Sequence, residues 1–257
     1  MTKRVLIMGL PGSGKTTLAR ELFNLLKESD VIWYNADEIR KINNDWDFSE
    51  EGRMRQAKRM RDLADQSSAD YVIADFVCPL ETMRYKYQPD WLVWVDTIDR
   101  SNYEDTNALF ERPYGYDFRI SEKDAKKFAP IIAQAILNNT RFKFDWKKPT
   151  VQMLGRWQPW HKGHRALFER AIAKTGQVAI MVRACHDENN PFSFEEVKDR
   201  IHRDLDGEYK GRFVVKYVPN IVNITYGRDV GYTIEQETFD ESITSISATK
   251  IRKEMGF

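Results

Sequence analysis

Apolar runs and stretches of helical period alternate along this chain, with short polar turns between them. Val5-Leu6-Ile7-Met8 reads as a strand, and a helix is expected from Leu18 to Lys27. Val31-Ile32-Trp33-Tyr34, Asp70 to Phe76 and Trp91 to Asp96 read as further strands. The last of these is apolar almost throughout, which suits a parallel sheet buried on both faces. Ser49 is a natural N-cap for a long helix running through Arg61, with Glu50 and Glu51 in its first turn. Asp99 to Phe118 is polar and aromatic with few helix signals, as expected of a lid. Glu122 to Leu137 reads as a helix. Beyond a basic-aromatic link, Phe142 to Pro149, a second series begins: strand Thr150 to Leu154, helix Arg165 to Thr175, strand Val178 to Val182. The alternation predicts an α/β protein of two domains, residues 1–148 and 149–257.

Composition narrows the function classes. The chain has 257 residues, a length that suits two modest domains. Basic and acidic residues nearly cancel, giving a net charge of +1. That argues against bulk electrostatic binding to nucleic acid or to an anionic membrane. The two cysteines, Cys78 and Cys185, fall in different predicted domains, so a reducing cytoplasm is expected. The chain enters a strand at its start, so no secretory leader is expected, and no apolar run approaches the roughly 20 residues that span a bilayer. A homo-oligomer is compatible with the sequence.

The sharpest motif is Gly9-Leu10-Pro11-Gly12-Ser13-Gly14-Lys15-Thr16-Thr17, a phosphate-binding loop of the form G-x-x-x-x-G-K-S/T between a strand and a helix. Glycines let consecutive backbone N–H groups approach a polyphosphate, and the helix adds its positive end. Gly9, Gly12, Ser13, Gly14, Lys15, Thr16 and Thr17 are therefore nucleotide-binding candidates, with Lys15 facing the outer phosphates of ATP and Thr16 a ligand for Mg²⁺. Asp37 follows the second strand and either receives a proton from an attacking hydroxyl, helps hold Mg²⁺ or caps a helix, and capping and catalysis do not exclude each other. Asp75, the acid near the end of the third strand, is the second candidate for the Mg²⁺ side.

This half resembles adenylylsulfate kinase, which phosphorylates the 3′-hydroxyl of adenosine 5′-phosphosulfate. The resemblance spans roughly Arg4 to Phe118. It rests on the loop, on Asn35-Ala36-Asp37-x-x-Arg40 for D-G-D-x-x-R, on Phe48-Ser49-Glu50-Glu51-Gly52-Arg53 for F-S-x-E-D-R, on Phe76-Val77-Cys78-Pro79 for F-I-S-P and on Val95-Asp96-Thr97. It implies that Asp37 is the catalytic carboxylate and that Arg40, Phe48 and Arg53 contact the nucleotide substrate. Four features depart from the family. Asn35 replaces the first acid, Gln56 replaces an Asn, Asp75 stands where the family is usually uncharged, and no D-x-K-x-x-Y lid motif follows Asp96.

The second centre is Gly155-Arg156-Trp157-Gln158-Pro159-Trp160-His161-Lys162-Gly163-His164, a glycine turn running into a helix. Two histidines three apart at a helix start meet phosphate together with the helix amides, and Gly163 permits close approach. Such a site suits attack of a phosphate on the α-phosphorus of a nucleoside triphosphate, with no protein nucleophile. A zinc pair lacks a nearby third ligand in the sequence. Near the end, Ser247 reads as a helix N-cap with Lys250 and Arg252 in the first turn, where cations are unfavourable unless they face an anion. Arg183 ends a strand and is a phosphate-binding candidate. Trp157 and Trp160 either stack on a base or belong to the core. Tyr226 to Tyr232, with Gly227 and Arg228, either lines a base pocket or is a plain turn.

These motifs resemble the Rossmann-like nucleotidyltransferases that include nicotinamide-nucleotide adenylyltransferases and cytidylyltransferases, over about Val151 to Lys253. G-R-W-Q-P-W-H-K-G-H matches G-x-F-x-P-x-H-x-G-H, and Ile246-Ser247-x-Thr249-x-x-Arg252 matches I-S-x-T-x-x-R. Asn190-Pro191-Phe192-Ser193, with a capping box to Glu196, is similar to the nicotinamide-mononucleotide branch. The resemblance implies His161 and His164 at the α-phosphate, Ser247, Thr249 and Arg252 at the outer phosphates, and Arg156 as a further phosphate contact. The expected function is a bifunctional transferase acting on small-molecule nucleotides. It joins an ATP-dependent kinase to a nucleotidyltransferase that uses ATP or CTP and releases pyrophosphate. Two other readings stand beside it. One is pyridine-nucleotide salvage, with a nucleoside kinase and an adenylyltransferase. The other is a nucleotide sensor with degenerate sites, against which the intact Lys15, Thr16, Asp37, His161, His164 and Arg252 argue.

Overall fold

A computed structural model of the chain describes residues 2–225, 227, 231 and 233–256. It divides into two compact units, residues 1–141 with 206–208, and residues 142–205 with 209–257. Both are built from parallel strands and helices, the α/β class expected.

In chain order the first unit contains β1 (Lys3–Met8), α1 (Lys15–Leu25), β2 (Val31–Asn35), α2 (Ala36–Ile42), α3 (Glu50–Gln66), β3 (Tyr71–Asp75), α4 (Glu81–Tyr87), β4 (Trp91–Val95), α5 (Glu104–Leu109), β5 (Phe118–Ile120) and α6 (Ala125–Leu137). Its five strands are all parallel in the order β2-β3-β1-β4-β5. Successive residues of β1 serve opposite faces. Val5 and Ile7 pack with Leu18, Leu22, Phe128 and Ile132 of α1 and α6, whereas Leu6 and Met8 pack with Ala57, Met60 and Met83 of α3 and α4. Two apolar layers therefore bury the central strands, which is why β4 and residues 5–8 of β1 are apolar on both faces.

Within residues 99–118, where an irregular lid was expected, the chain forms α5, and Phe118 begins a fifth strand. Glu104 and Asp105 supply the acidic first turn that favours a helix start there. The helix at Ser49 begins as expected, with its hydroxyl accepting the Gly52 N–H at 3.1 Å.

The second unit contains β6 (Val151–Gly155), α7 (Lys162–Thr175), β7 (Val178–Arg183), α8 (Phe194–Tyr209), β8 (Phe213–Val218), α9 (Glu241–Thr244) and α10 (Ala248–Glu254). Its sheet is parallel, in the order β6-β7-β8. Phe168, Ile172, Ile180, Val197, Ile201 and Leu205 form its core. Ser193 and Glu196 make the capping box of α8 in both directions. The basic-aromatic link runs with this unit, since the Gln177 amide donates to the carbonyls of Asp145 and Lys148. The unit therefore begins at Phe142, seven residues before the position 149 read from the sequence. Among the described residues no helix is long and apolar enough to cross a membrane.

Candidate functional sites

The phosphate loop joins β1 to α1. Gly14 is the N-cap of α1 and has φ 99°, so the cap position carries no side chain to satisfy the first-turn amides. Those amides are the groups a phosphate would take. At Gly9, a Cβ would lie 2.3 Å from the Val95 carbonyl, so the start of the loop requires glycine. The Thr97 hydroxyl donates to the Ser13 carbonyl at 2.6 Å and fixes the crest. Gly12 and Thr17 are exposed, whereas the Ser13 side chain is buried.

Lys15 is 9% exposed, and its Nζ donates to the Leu10 carbonyl at 2.9 Å. Burial lowers its pKa to about 8, opposed by Asp75 and Asp37. The Thr16 hydroxyl donates to Asp75 Oδ2 at 2.7 Å. Asp75 is 2% exposed and also receives Trp33 Nε1 at 2.7 Å and Asn35 Nδ2 at 3.0 Å. Asn35 and Asp75 are register partners on β2 and β3, which explains how the amide reaches the carboxylate. Burial raises the Asp75 pKa against these three donors. The buried carboxylate of this site thus comes from β3, with the Asn35 amide of β2 opposite it. Neither Trp33 nor Asn35 was singled out from sequence as a site residue; the paired departures at 35 and 75 were the available signal.

Asn35 also caps α2, its Oδ1 accepting the N–H groups of Asp37 and Glu38 at 3.1 Å. Asp37 is therefore not the cap; it occupies the first turn with an exposed side chain. A cavity of about 540 Å³ brings together Lys15, Thr16, Asp37 and Asp75 with Arg40, Phe48 and Arg53. The two arginines are engaged by protein groups. Arg40 Nη1 donates to the carbonyls of Asp45 and Asp47, both at 2.9 Å. Arg53 Nε donates to the Phe48 carbonyl, and its Nη2 reaches Asp105 Oδ2 at 2.7 Å and Thr106 Oγ1 at 2.9 Å. Burial lowers the pKa of Arg40.

In the second unit His161 is the N-cap of α7, its Nδ1 accepting the Gly163 N–H at 3.1 Å. The proton of the neutral ring then sits on Nε2, which leaves that N–H as a donor. His164 stacks on His161 with ring centroids 3.6 Å apart. Burial lowers the pKa of both histidines, that of His164 to about 3 with His161 as a second cause. Both rings are neutral at pH 7 until an anion arrives to favour the charged form. His164 Nδ1 is buried with no hydrogen-bond partner among the described residues.

Of the two readings for Trp157 and Trp160, the structure takes the packing one. They are 6% and 8% exposed, and their indole N–H groups donate to the Met181 carbonyl and to Asp204. Both rings pack against His164, so they position that imidazole instead of presenting a stacking face.

Arg252 joins the two distant motifs, donating to the Gln158 carbonyl and to Thr249 Oγ1. Gln158 in turn exchanges two hydrogen bonds with the Phe192 backbone, so the N-P-F segment docks on the same loop. Ser247 is the N-cap of α10 by position, without a capping bond from its side chain. Arg156 is exposed, and Arg183 Nη2 donates to Asn220 at 2.6 Å. Gly227 is exposed with open space around it, and Arg228 lies outside the described residues.

Sequence comparison agrees at a coarse level. A family model described as an AAA domain matches residues 5–104. A nicotinamide-nucleotide adenylyltransferase of Methanococcus maripaludis is 24% identical over 129 residues, which cover 40% of this chain and 75% of that protein. Among solved structures, APE1195 matches at 23% identity with a TM-score of 0.44, over 53% of this chain and 95% of its own. The Mycobacterium tuberculosis APS kinase in complex with AMPPNP and APS matches at 20% identity with a TM-score of 0.42, over 53% of this chain and 98% of its own. The family-model match thus falls on the half that contains the phosphate loop, and the similarity to the adenylyltransferase is weak.

Proposed function

We propose that the chain is a two-site transferase, with an ATP-dependent kinase in the first unit and a nucleotidyltransferase in the second. The observation that carries the kinase reading is the convergence of Lys15, Asp37 and the Thr16–Asp75 pair on one cavity. An acceptor hydroxyl attacks the γ-phosphorus of ATP, the bond to the β–γ bridging oxygen breaks, and ADP leaves. Asp37, exposed in the wall, receives the hydroxyl proton. Lys15 and the α1 amides hold the phosphates. Thr16 Oγ1 and Asp75 Oδ2, two hard oxygens 2.7 Å apart, fit Mg²⁺, which takes few protein oxygens and completes its shell with phosphate and water. When bound, Mg²⁺ supplies neutralisation of phosphate charge.

At the second site a phosphate oxygen of the acceptor attacks the α-phosphorus of ATP or CTP, and pyrophosphate leaves. His161 Nε2–H and the α7 amides donate to the phosphate oxygens. Arg252, fixed on the Gln158 carbonyl, faces the outer phosphates. Two acceptor classes fit the kinase: the resemblance points to the 3′-hydroxyl of an activated nucleotide such as adenosine 5′-phosphosulfate, and salvage to a nucleoside. The salvage reading is favoured by the adenylyltransferase relative and by the docked N-P-F segment.

The test is turnover by the purified full chain with Mg²⁺. ATP or CTP is offered against nicotinamide mononucleotide and small phospho-compounds for pyrophosphate release. ATP is offered against adenosine 5′-phosphosulfate and nucleosides for γ-phosphate transfer. Pyrophosphate with nicotinamide mononucleotide selects salvage. Pyrophosphate from CTP with phosphorylation of adenosine 5′-phosphosulfate selects the activated-nucleotide reading. Tight nucleotide binding without turnover at either site overturns both and leaves the sensor.

A further inference from the structure

We propose that the first site takes an uncharged nucleoside as its hydroxyl acceptor, with Asp105 selecting against acceptors that carry a phosphate or sulfate. This rests on the kinase reading above and names its substrate class. Beyond the phosphate loop, the cations lining the cavity among the described residues are Arg40 and Arg53. An anionic acceptor would require at least one of them. Arg40 Nη1 is held by two backbone carbonyls, and the Asp45 carboxylate lies 4.0 Å away. Arg53 is buried, and its Nη2 already faces a carboxylate, Asp105, at 2.7 Å. A phosphate or sulfate at that guanidinium must displace Asp105 or lie beside it, and like charges in contact are repelled. Asp37 is a second carboxylate on the same wall. The formal charges of this half, Arg40 and Arg53 against Asp37 and Asp105, sum to zero.

The same wall suits a flat base. Trp46 and Phe48 are 51% and 47% exposed and form an aromatic pair 6.4 Å apart. Base packing without anion binding describes a nucleoside. Its product, a nucleoside monophosphate, is the chemical class of acceptor that the second site requires. The kinase step then precedes nucleotidyl transfer.

The test is binding to the full chain held with Mg²⁺ and a non-hydrolysable ATP analogue. Adenosine and cytidine are titrated against their 5′-monophosphates and adenosine 5′-phosphosulfate. A nucleoside is expected to bind at least about tenfold more tightly than its anionic counterpart. Asp105→Asn is expected to shift that ratio towards the anion by about tenfold. Equal or tighter anion binding by the unaltered chain overturns the proposal, as does an unchanged ratio in Asp105→Asn or the absence of nucleoside binding. Transfer from γ-labelled ATP, run in parallel, judges the kinase reading separately. A nucleoside that binds with the expected preference but never becomes phosphorylated sinks that reading while the charge preference stands measured.

Discussion

Asn35→Asp isolates the interaction that holds the buried Asp75 carboxylate, the proposed Mg²⁺-side acid. Aspartate is as good an N-cap as asparagine, so the cap on α2 survives. What changes is the group facing Asp75. The Asn35 amide lies 3.0 and 3.2 Å from the two oxygens of Asp75, which is itself 2% exposed. A second carboxylate there puts two negative charges about 3 Å apart, worth about 5 kcal/mol at an effective dielectric near 20. Sharing a proton relieves part of this, leaving an expected loss of roughly 2–4 kcal/mol at pH 8. The folded pair holds more protons than the unfolded chain, so the penalty grows as pH rises above the usual carboxylate value near 4 and recedes on acidification. Urea unfolding of the first unit at pH 5.5 and pH 8 reads it, and added Mg²⁺ should restore much of the loss. The exchange Asn35→Asp with Asp75→Asn re-creates one donor and one acceptor and should recover most of the stability, as a coupled pair requires. Asn35→Asp as stable as the parent at pH 8 without Mg²⁺, or an exchanged pair no better than the single variant, refutes the reasoning.

Other consequences are as direct. Because the Lys15 pKa is lowered to about 8, the ammonium is progressively lost above that pH. ATP affinity measured by calorimetry should therefore fall between pH 8 and 9 with proton uptake on binding; a flat profile contradicts the assignment. Gly9→Ala places a Cβ 2.3 Å from the Val95 carbonyl and should cost at least about 3 kcal/mol, seen as a lowered urea midpoint. Arg252→Ala removes the tie to Gln158 and should lower pyrophosphate release by about a hundredfold while leaving γ-phosphate transfer within twofold.

The chemistry written in contiguous residues was legible: the phosphate loop, the H-x-G-H turn and the Ser193–Glu196 capping box each depend on neighbours within a few positions. The central strands were legible because burial on both faces leaves an unbroken apolar run. β5 has three residues, too few for any period to appear. β8 is a mixture of buried and exposed positions. α2 begins directly after β2, with the cap on the last strand residue. The partners of the site residues were the least legible. Arg53 meets Asp105 across 52 positions and Asn35 meets Asp75 across 40, pairings that only the sheet and helix packing create. Trp157 and Trp160 were ambiguous because a large aromatic in a turn reads equally as a platform or as packing, and the buried His164 ring decides it.

The central claim is that two independent sites share this chain. Lys15→Ala and His164→Ala, assayed side by side for γ-phosphate transfer and for pyrophosphate release, test it most directly. Two sites predict that Lys15→Ala abolishes transfer and retains pyrophosphate release, and that His164→Ala does the reverse. Loss of both activities from either single change, or of neither from both, contradicts it.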